Sequence, residues 1–121
     1  MLMLQLVSPE RMLVEEPVSE VQIPALNGFI GVLPGHAALV SELRAGGVLT
    51  YSPAGGGQKV VAVYGGFAEV LPDRVRVLAD GAQTKEEIDP KAAQERLVKA
   101  NAGNDQNEVL RAQAMVEAAG R

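Results

Sequence analysis

The chain has no cysteine. This excludes disulfides, thiolate-bound zinc and cysteine nucleophiles together, and it fits a reducing compartment. Tryptophan is absent as well, and aromatic residues reach only 3%, so a core has to be assembled from Val, Leu, Ile and Ala. No apolar run approaches the ~18 residues that a membrane-spanning helix needs. The first residues also lack the basic stretch followed by an apolar core that marks a secretory signal. Basic charge is scarce: 11 Lys and Arg stand against 15 Asp and Glu, a formal net charge of -4. A nucleic-acid surface needs clustered cations to displace counterions, and this balance argues against one.

What is present fits a globular protein of 121 residues, 47% apolar and 21% charged, with one domain or one domain plus an appendage. Up to about Gly81 the pattern is that of strands. MLMLQLV, RMLVEEPVSEVQI, VLTYS, KVVAVYG, FAEVL and RVRVLA are separated by turn signals at Gly46-Gly47, Pro53 to Gly57, Gly65-Gly66 and Pro72-Asp73. In RVRVLA, Val75 and Val77 alternate with Arg74 and Arg76, which buries one face and solvates the other. Short strands at this spacing predict an antiparallel sandwich or barrel, with Val14, Val21, Ile23, Val61, Val63, Val75 and Val77 among its core positions.

After Gly81 the β-branched residues thin out in favour of Ala, Glu, Gln and Lys. Asp89-Pro90 is a helix start, because Asp accepts from the free amides of the first turn and Pro is tolerated at the first helical position. Ala93, Leu97 and Ala100 form a stripe, and the run Asn101 to Asp105 ends the helix, with Gly103 expected as a left-handed cap. Val109, Ala112, Val116 and Ala119 mark a second helix. Helices this short are marginal alone, so the hairpin should depend on docking.

The search for chemistry finds no nucleophile elbow of the Gly-x-Ser-x-Gly kind and no Gly-Lys-Ser/Thr phosphate loop. His36 is the only histidine. With no cysteine it could hold zinc only with carboxylates, the nearest downstream being Glu42, and as a hydrolytic base it would have to work with Glu42 or Asp73. A loop residue bonded to backbone or to a partner is the competing reading of His36. The pairs Glu15-Glu16 and Glu86-Glu87 read as solvated charge, since adjacent side chains point apart. No catalytic, metal or cofactor site is expected.

The stretch GFIGVLPGHAALV (Gly28 to Val40) is read as a stiff loop. Gly31-Val32-Leu33-Pro34-Gly35-His36-Ala37, followed by Leu39 and Leu43-Arg44-Ala45-Gly46, resembles the signature loop of the epsilon subunits of bacterial F-type ATP synthases. Leu4-Gln5-Leu6-Val7-Ser8-Pro9 is similar to that family's opening strand, and Tyr64-Gly65-Gly66-Phe67-Ala68-Glu69-Val70 to its Gly-Gly-Phe motif. The resemblance covers the whole chain. It implies a ten-stranded antiparallel β-sandwich over residues 1–82 and a two-helix hairpin over 83–121. It implies a non-catalytic rotor subunit of the central stalk, bound to the gamma subunit and the ring of c subunits. The location implied is peripheral, on the cytoplasmic face of the bacterial inner membrane. Gly28, Phe29, Ile30, Gly31, Pro34, Gly35 and His36 would then face the c-ring. Many relatives carry an acid where this chain has Phe29, which leaves Phe29 either as an apolar contact or turned into the sandwich.

In such relatives the hairpin contacts the alpha and beta catalytic subunits to inhibit hydrolysis, or folds down and binds ATP through Ile/Leu-Asp-x-x-Arg-Ala. The corresponding residues here are Ile88-Asp89-Pro90-Lys91-Ala92-Ala93, without the arginine. Ile88 and Asp89 remain as candidate nucleotide contacts and Arg96, one turn beyond Ala92, is the best substitute for the missing cation. Weak ATP binding and weak inhibition are therefore expected. The alternative from another class is a free-standing ATP-sensing regulatory protein.

Overall fold

The computed structural model describes residues 2–121; Met1, the first residue of the opening strand-like run, lies outside the described residues. Nine strands precede two helices: β1 (Leu2–Val7), β2 (Met12–Ala25), β3 (Gly28–Val32), β4 (Leu39–Glu42), β5 (Gly47–Pro53), β6 (Lys59–Val63), β7 (Gly66–Leu71), β8 (Arg74–Ala79) and β9 (Ala82–Thr84). A 3₁₀ turn (Lys85–Glu87) leads into α1 (Pro90–Ala102) and α2 (Gln106–Ala119). The strands pair in the order β4-β7-β8-β1-β2-β5-β6-β9, and β3 pairs with β2. The count is nine where ten were expected. One pairing is parallel rather than antiparallel: β8 returns alongside β1, with Leu4 opposite Val75 and Leu6 opposite Val77.

The 14-residue β2 joins the two layers. Its first half pairs with β1 up to Val18, and its second half pairs with β5 and β3. The change of partner coincides with a register shift between Val18 and Glu20, directly after Pro17. Proline lacks a ladder donor and is accommodated where a strand bulges. Between the layers lies one cluster of buried side chains, including Leu2, Leu4, Leu6, Leu49 and Val70 together with all seven predicted core positions. Each such Val, Leu or Ile contributes about 1.5–3 kcal/mol by leaving water.

The hairpin covers the outer side of β5 and β6. Val48 and Ala62 lie opposite each other on these strands and pack with Ile88, Ala93, Ala114, Met115 and Ala118 in a second buried cluster. This explains why VLTY is buried at every position, unlike a strand with one wet face. Asp89 caps α1 as expected, accepting from the Lys91 and Ala92 amides at 3.0 and 3.4 Å, with Pro90 at the first helical position. Gly103 is not left-handed: its φ is -95° and its ψ -173°, an extended exit that any residue adopts. The buried face of α2 also differs from the predicted stripe. Of Val109, Ala112, Val116 and Ala119 only Ala112 is fully buried, and Ala114, Met115 and Ala118 complete the face. The helix packs on α1 with one side and on β5 and β6 with another, so its buried sector is wider than a two-helix seam requires.

Candidate functional site

The stretch expected to be a loop is half strand. Gly28–Val32 forms β3, hydrogen-bonded to β2 from Ala25 opposite Gly28 to Val21 opposite Val32. Alternation along β3 decides the direction of each side chain. Val32 is buried, Ile30 packs partly against the core, and Phe29 points outward with 55% of its surface exposed. Phe29 therefore does not turn into the sandwich. Gly31 lies beside Gln22, whose Nε2 would be 3.1 Å from a Cβ placed there.

The chain then turns over Leu33–His36. The His36 amide donates to the Leu33 carbonyl at 3.1 Å, with Pro34 second and Gly35 third in the turn. Gly35 has φ +86°, the left-handed value that a type II turn demands at this position and glycine adopts without steric cost. Its amide also donates, at 2.8 Å, to the carbonyl of Pro72 in the β7–β8 connection. The turn is thus closed by one bond and tied to the sandwich by a second. Leu33 projects from it with 59% exposure. His36 is half-buried and its Nδ1 lies 2.7 Å from the Ala37 carbonyl oxygen. Asp73 faces Arg74 at 3.9 Å, and Glu42 lies at the far end of β4. Among the described residues no group of three His, Cys, Asp or Glu side chains could hold a metal ion.

The second candidate region lies where the hairpin meets the sandwich. Ile88, Asp89, Ala92 and Arg96 line one cleft of about 250 Å³ with Glu87 and Met115. The structure brings the three sequence-predicted residues together, but each is engaged. Ile88 is buried in the second cluster, the Asp89 carboxylate caps α1, and the Arg96 Nε donates to the Glu108 carboxylate across the hairpin. The Arg96 guanidinium holds the Glu108 carboxyl below the usual carboxylate range. Glu87 is held lower still, to about 2, chiefly by the Arg11 guanidinium, which donates to Glu87 Oε1 at 2.6 Å. The Thr84 amide adds a bond of 2.8 Å to the same oxygen. This pair fastens the β1–β2 connection to the turn before α1.

A third surface was missed in the sequence. Phe67 and Leu78 stand opposite each other on β7 and β8 and are more than half exposed, with Val40 nearby on β4 at 70% exposure. The signal was available in the alternation. Leu78 follows the inward Val77 and so falls on the face of Arg74 and Arg76, where a polar residue would be expected.

This combination is a two-layer strand fold with a tied Pro-Gly turn at one edge and a helical hairpin on one flank. Residues 1–85 match the family described as "ATP synthase, Delta/Epsilon chain, beta-sandwich domain", and the chain belongs to that family. It is 55% identical to the ATP synthase epsilon chain of Solibacter usitatus, over 77% of this chain and 70% of that relative. To the epsilon chain of Rhodospirillum rubrum it is 40% identical, over 94% of this chain and 90% of the relative. In three dimensions it is similar to a chain of the mitochondrial ATP synthase of Euglena gracilis, in a cryo-electron microscopy structure that includes the c-ring. The TM-score is 0.73 at 29% identity, covering 94% of this chain and 74% of that one. Membership of this family makes the chain an accessory, non-catalytic subunit of an ATP synthase. The described residues include no helix long and apolar enough to cross a membrane.

Proposed function

We propose that the chain works in the rotor of an F-type ATP synthase, where the sandwich joins the gamma subunit to the c-ring during proton-driven synthesis. The observation that carries this reading is the turn Leu33–His36, closed on itself and bonded to Pro72. A contact that transmits torque has to be ordered before it binds, and a turn fixed at Pro34, Gly35 and the Pro72 carbonyl loses little entropy on contact. Phe29 and Leu33 supply exposed apolar surface beside it. The contact with the polar loops of the ring is then apolar and geometric rather than an ion pair. The exposed Phe67–Leu78 pair is the proposed gamma-facing surface. The chain sits peripherally on the cytoplasmic face of a bacterial inner membrane.

Inserting two residues between Gly31 and Pro34 tests the ring contact. The expected result is weakened coupling of proton flow to synthesis, with hydrolysis by the detached catalytic head unchanged. Equal loss of both activities would remove the ring-facing role.

The hairpin (83–121) is proposed as a separable, weakly inhibitory element that contacts the alpha and beta subunits, and the sandwich (1–82) as the assembling unit. The strand Ala82–Thr84 straddles this boundary, so a truncation after Thr84 preserves β9. That truncated chain should fold and still bind gamma; unfolding or loss of binding would contradict the division. The competing reading, an ATP sensor, draws on the cleft of Ile88, Asp89 and Arg96. The engagement of all three residues disfavours it, and so does a cleft smaller than the ~300–1,000 Å³ of small-molecule sites.

A further inference from the structure

Leu26 and Asn27 form the turn between β2 and β3, and Gly28 follows Asn27 directly. Neither turn residue has a positive φ, whereas Gly28 has φ +130°, so the reversal is completed by the glycine. Asn27 is exposed, and a Cβ placed on Gly28 would meet nothing within 4 Å. The turn is tied to the body through the Leu26 amide, which donates to the Glu42 carbonyl at 2.9 Å. An asparagine side chain in water next to a backbone nitrogen that carries no neighbouring side chain is the arrangement in which amide hydrolysis proceeds without an enzyme. The three other asparagines, Asn101, Asn104 and Asn107, precede Ala, Asp and Glu, and Asn101 and Asn107 lie within helices. In a helix the backbone on both sides is fixed by successive turns, whereas Gly28, although paired with Ala25, stands at the very end of the β2–β3 ladder, directly after an exposed two-residue turn.

We propose that Asn27 is a site of spontaneous deamidation, in which the Gly28 nitrogen converts its carboxamide to a mixture of aspartate and isoaspartate. The deprotonated Gly28 nitrogen attacks Asn27 Cγ. The N–Cγ bond forms, the Cγ–Nδ2 bond breaks, and ammonia departs with the proton, leaving a five-membered succinimide. Water then opens the ring. Cleavage at Cγ restores the normal backbone with an aspartate; cleavage at the main-chain carbonyl routes the backbone through the side chain as isoaspartate. The sum is one water consumed and one ammonia released, with no oxidant. Either product adds a negative charge two residues before Phe29, and the isoaspartyl form lengthens the turn by one methylene. That this alters a ring-facing segment rests on the function proposed above; the reaction itself does not.

The purified full-length chain, incubated at physiological temperature in mildly alkaline buffer, is followed by peptide mapping with mass spectrometry and by enzymatic labelling of isoaspartate. The peptide containing Asn27 should gain one mass unit several-fold faster than the peptides carrying Asn101, Asn104 and Asn107 in the same sample. A transient species lighter by one ammonia should precede it. Asn27→Ser should abolish the early ammonia release and the isoaspartate label. Modification of Asn27 at the same rate as the other three, or intact Asn27 while they react, would overturn the proposal. Because all four sites are read in one folded sample, neither outcome depends on a variant folding.

Discussion

The missing side chain at Gly46 lets the backbone of α2 lie close against the sandwich, and replacing Gly46 by alanine tests how much the hairpin depends on that approach. A Cβ on Gly46 would lie 2.3 Å from the carbonyl carbon and oxygen of Leu110 and 2.4 Å from the Arg111 nitrogen, all main-chain atoms of α2. Ordinary contact begins near 3.4 Å, so α2 has to retreat by about 1 Å. No rotamer change relieves a clash with backbone, and Gly46 is not held in a conformation that forbids alanine, since it is absent from the positive-φ residues. A gap of about 0.5–1 Å forfeits a quarter to a half of the dispersion energy across it. The side chains that lose contact are Val48 and Ala62 on the strands and Ala114, Met115 and Ala118 on the helix. Overpacking of this kind costs about 1–3 kcal/mol. A two-helix hairpin has little independent stability, so the loss should appear as undocking of the hairpin rather than as global unfolding. Amide hydrogen exchange resolves the two. Protection of Ala112 to Ala118 should fall by roughly 5- to 150-fold, the equivalent of that cost, while amides of β1 and β8 keep theirs. Unchanged protection in α2, or equal loss in the strands, would refute the reasoning.

Val75 is fully buried opposite Leu4, and Val75→Asp should prevent folding, because an unpaired buried carboxylate costs several kcal/mol; a soluble, cooperatively melting variant would show that the strand faces were misassigned. The Arg11–Glu87 pair predicts a pH dependence. The folded-state carboxyl is depressed from 4.5 to about 2, so its contribution is present above pH 4.5 and is lost as pH falls from there towards about 2. Both side chains are partly exposed, which keeps the effect modest and salt-sensitive. Melting temperatures across that window should fall less steeply for Arg11→Met than for the parent chain; identical slopes would exclude the pair. Calorimetry with MgATP should give a millimolar or unmeasurable affinity, since the absent arginine at Ala92 alone weakens binding by roughly 10- to 100-fold. A micromolar constant would contradict this, and Arg96→Ala would then show whether Arg96 had exchanged Glu108 for phosphate.

The sandwich core was legible because alternation is a local property: Val75 and Val77 in RVRVLA, or Val61 and Val63 in KVVAV, declare their inward face within a few residues. Three strands left no such mark. β3 holds two glycines and a phenylalanine whose side chain points to solvent, β4 has four residues, and β9 has three. Each is recruited by pairing with β2, β7 or β6 rather than by its own propensity. The same distinction applies to the candidate site. Pro34-Gly35 announced a turn by residue type alone, but the bond from Gly35 to Pro72 joins positions far apart in sequence and has no local signature. The Asp89 cap was readable from Asp-Pro, whereas the pairing of Arg96 with Glu108 depends on how the two helices meet. The face of α2 was misread because helical spacing shows one apolar stripe, and this helix serves two neighbours.

The proposed place of the chain in the rotor of an ATP synthase makes a direct claim about its neighbours. A tagged chain expressed in its own host, isolated from gently solubilised membranes and analysed by native electrophoresis with mass spectrometry, tests that claim directly. The gamma subunit, the catalytic alpha and beta subunits and the c-ring should migrate with it as one complex, and Phe67→Glu with Leu78→Glu should release the chain from gamma while it remains folded. Recovery of the wild-type chain alone, or in a particle that lacks gamma and the c-ring, would contradict the assignment.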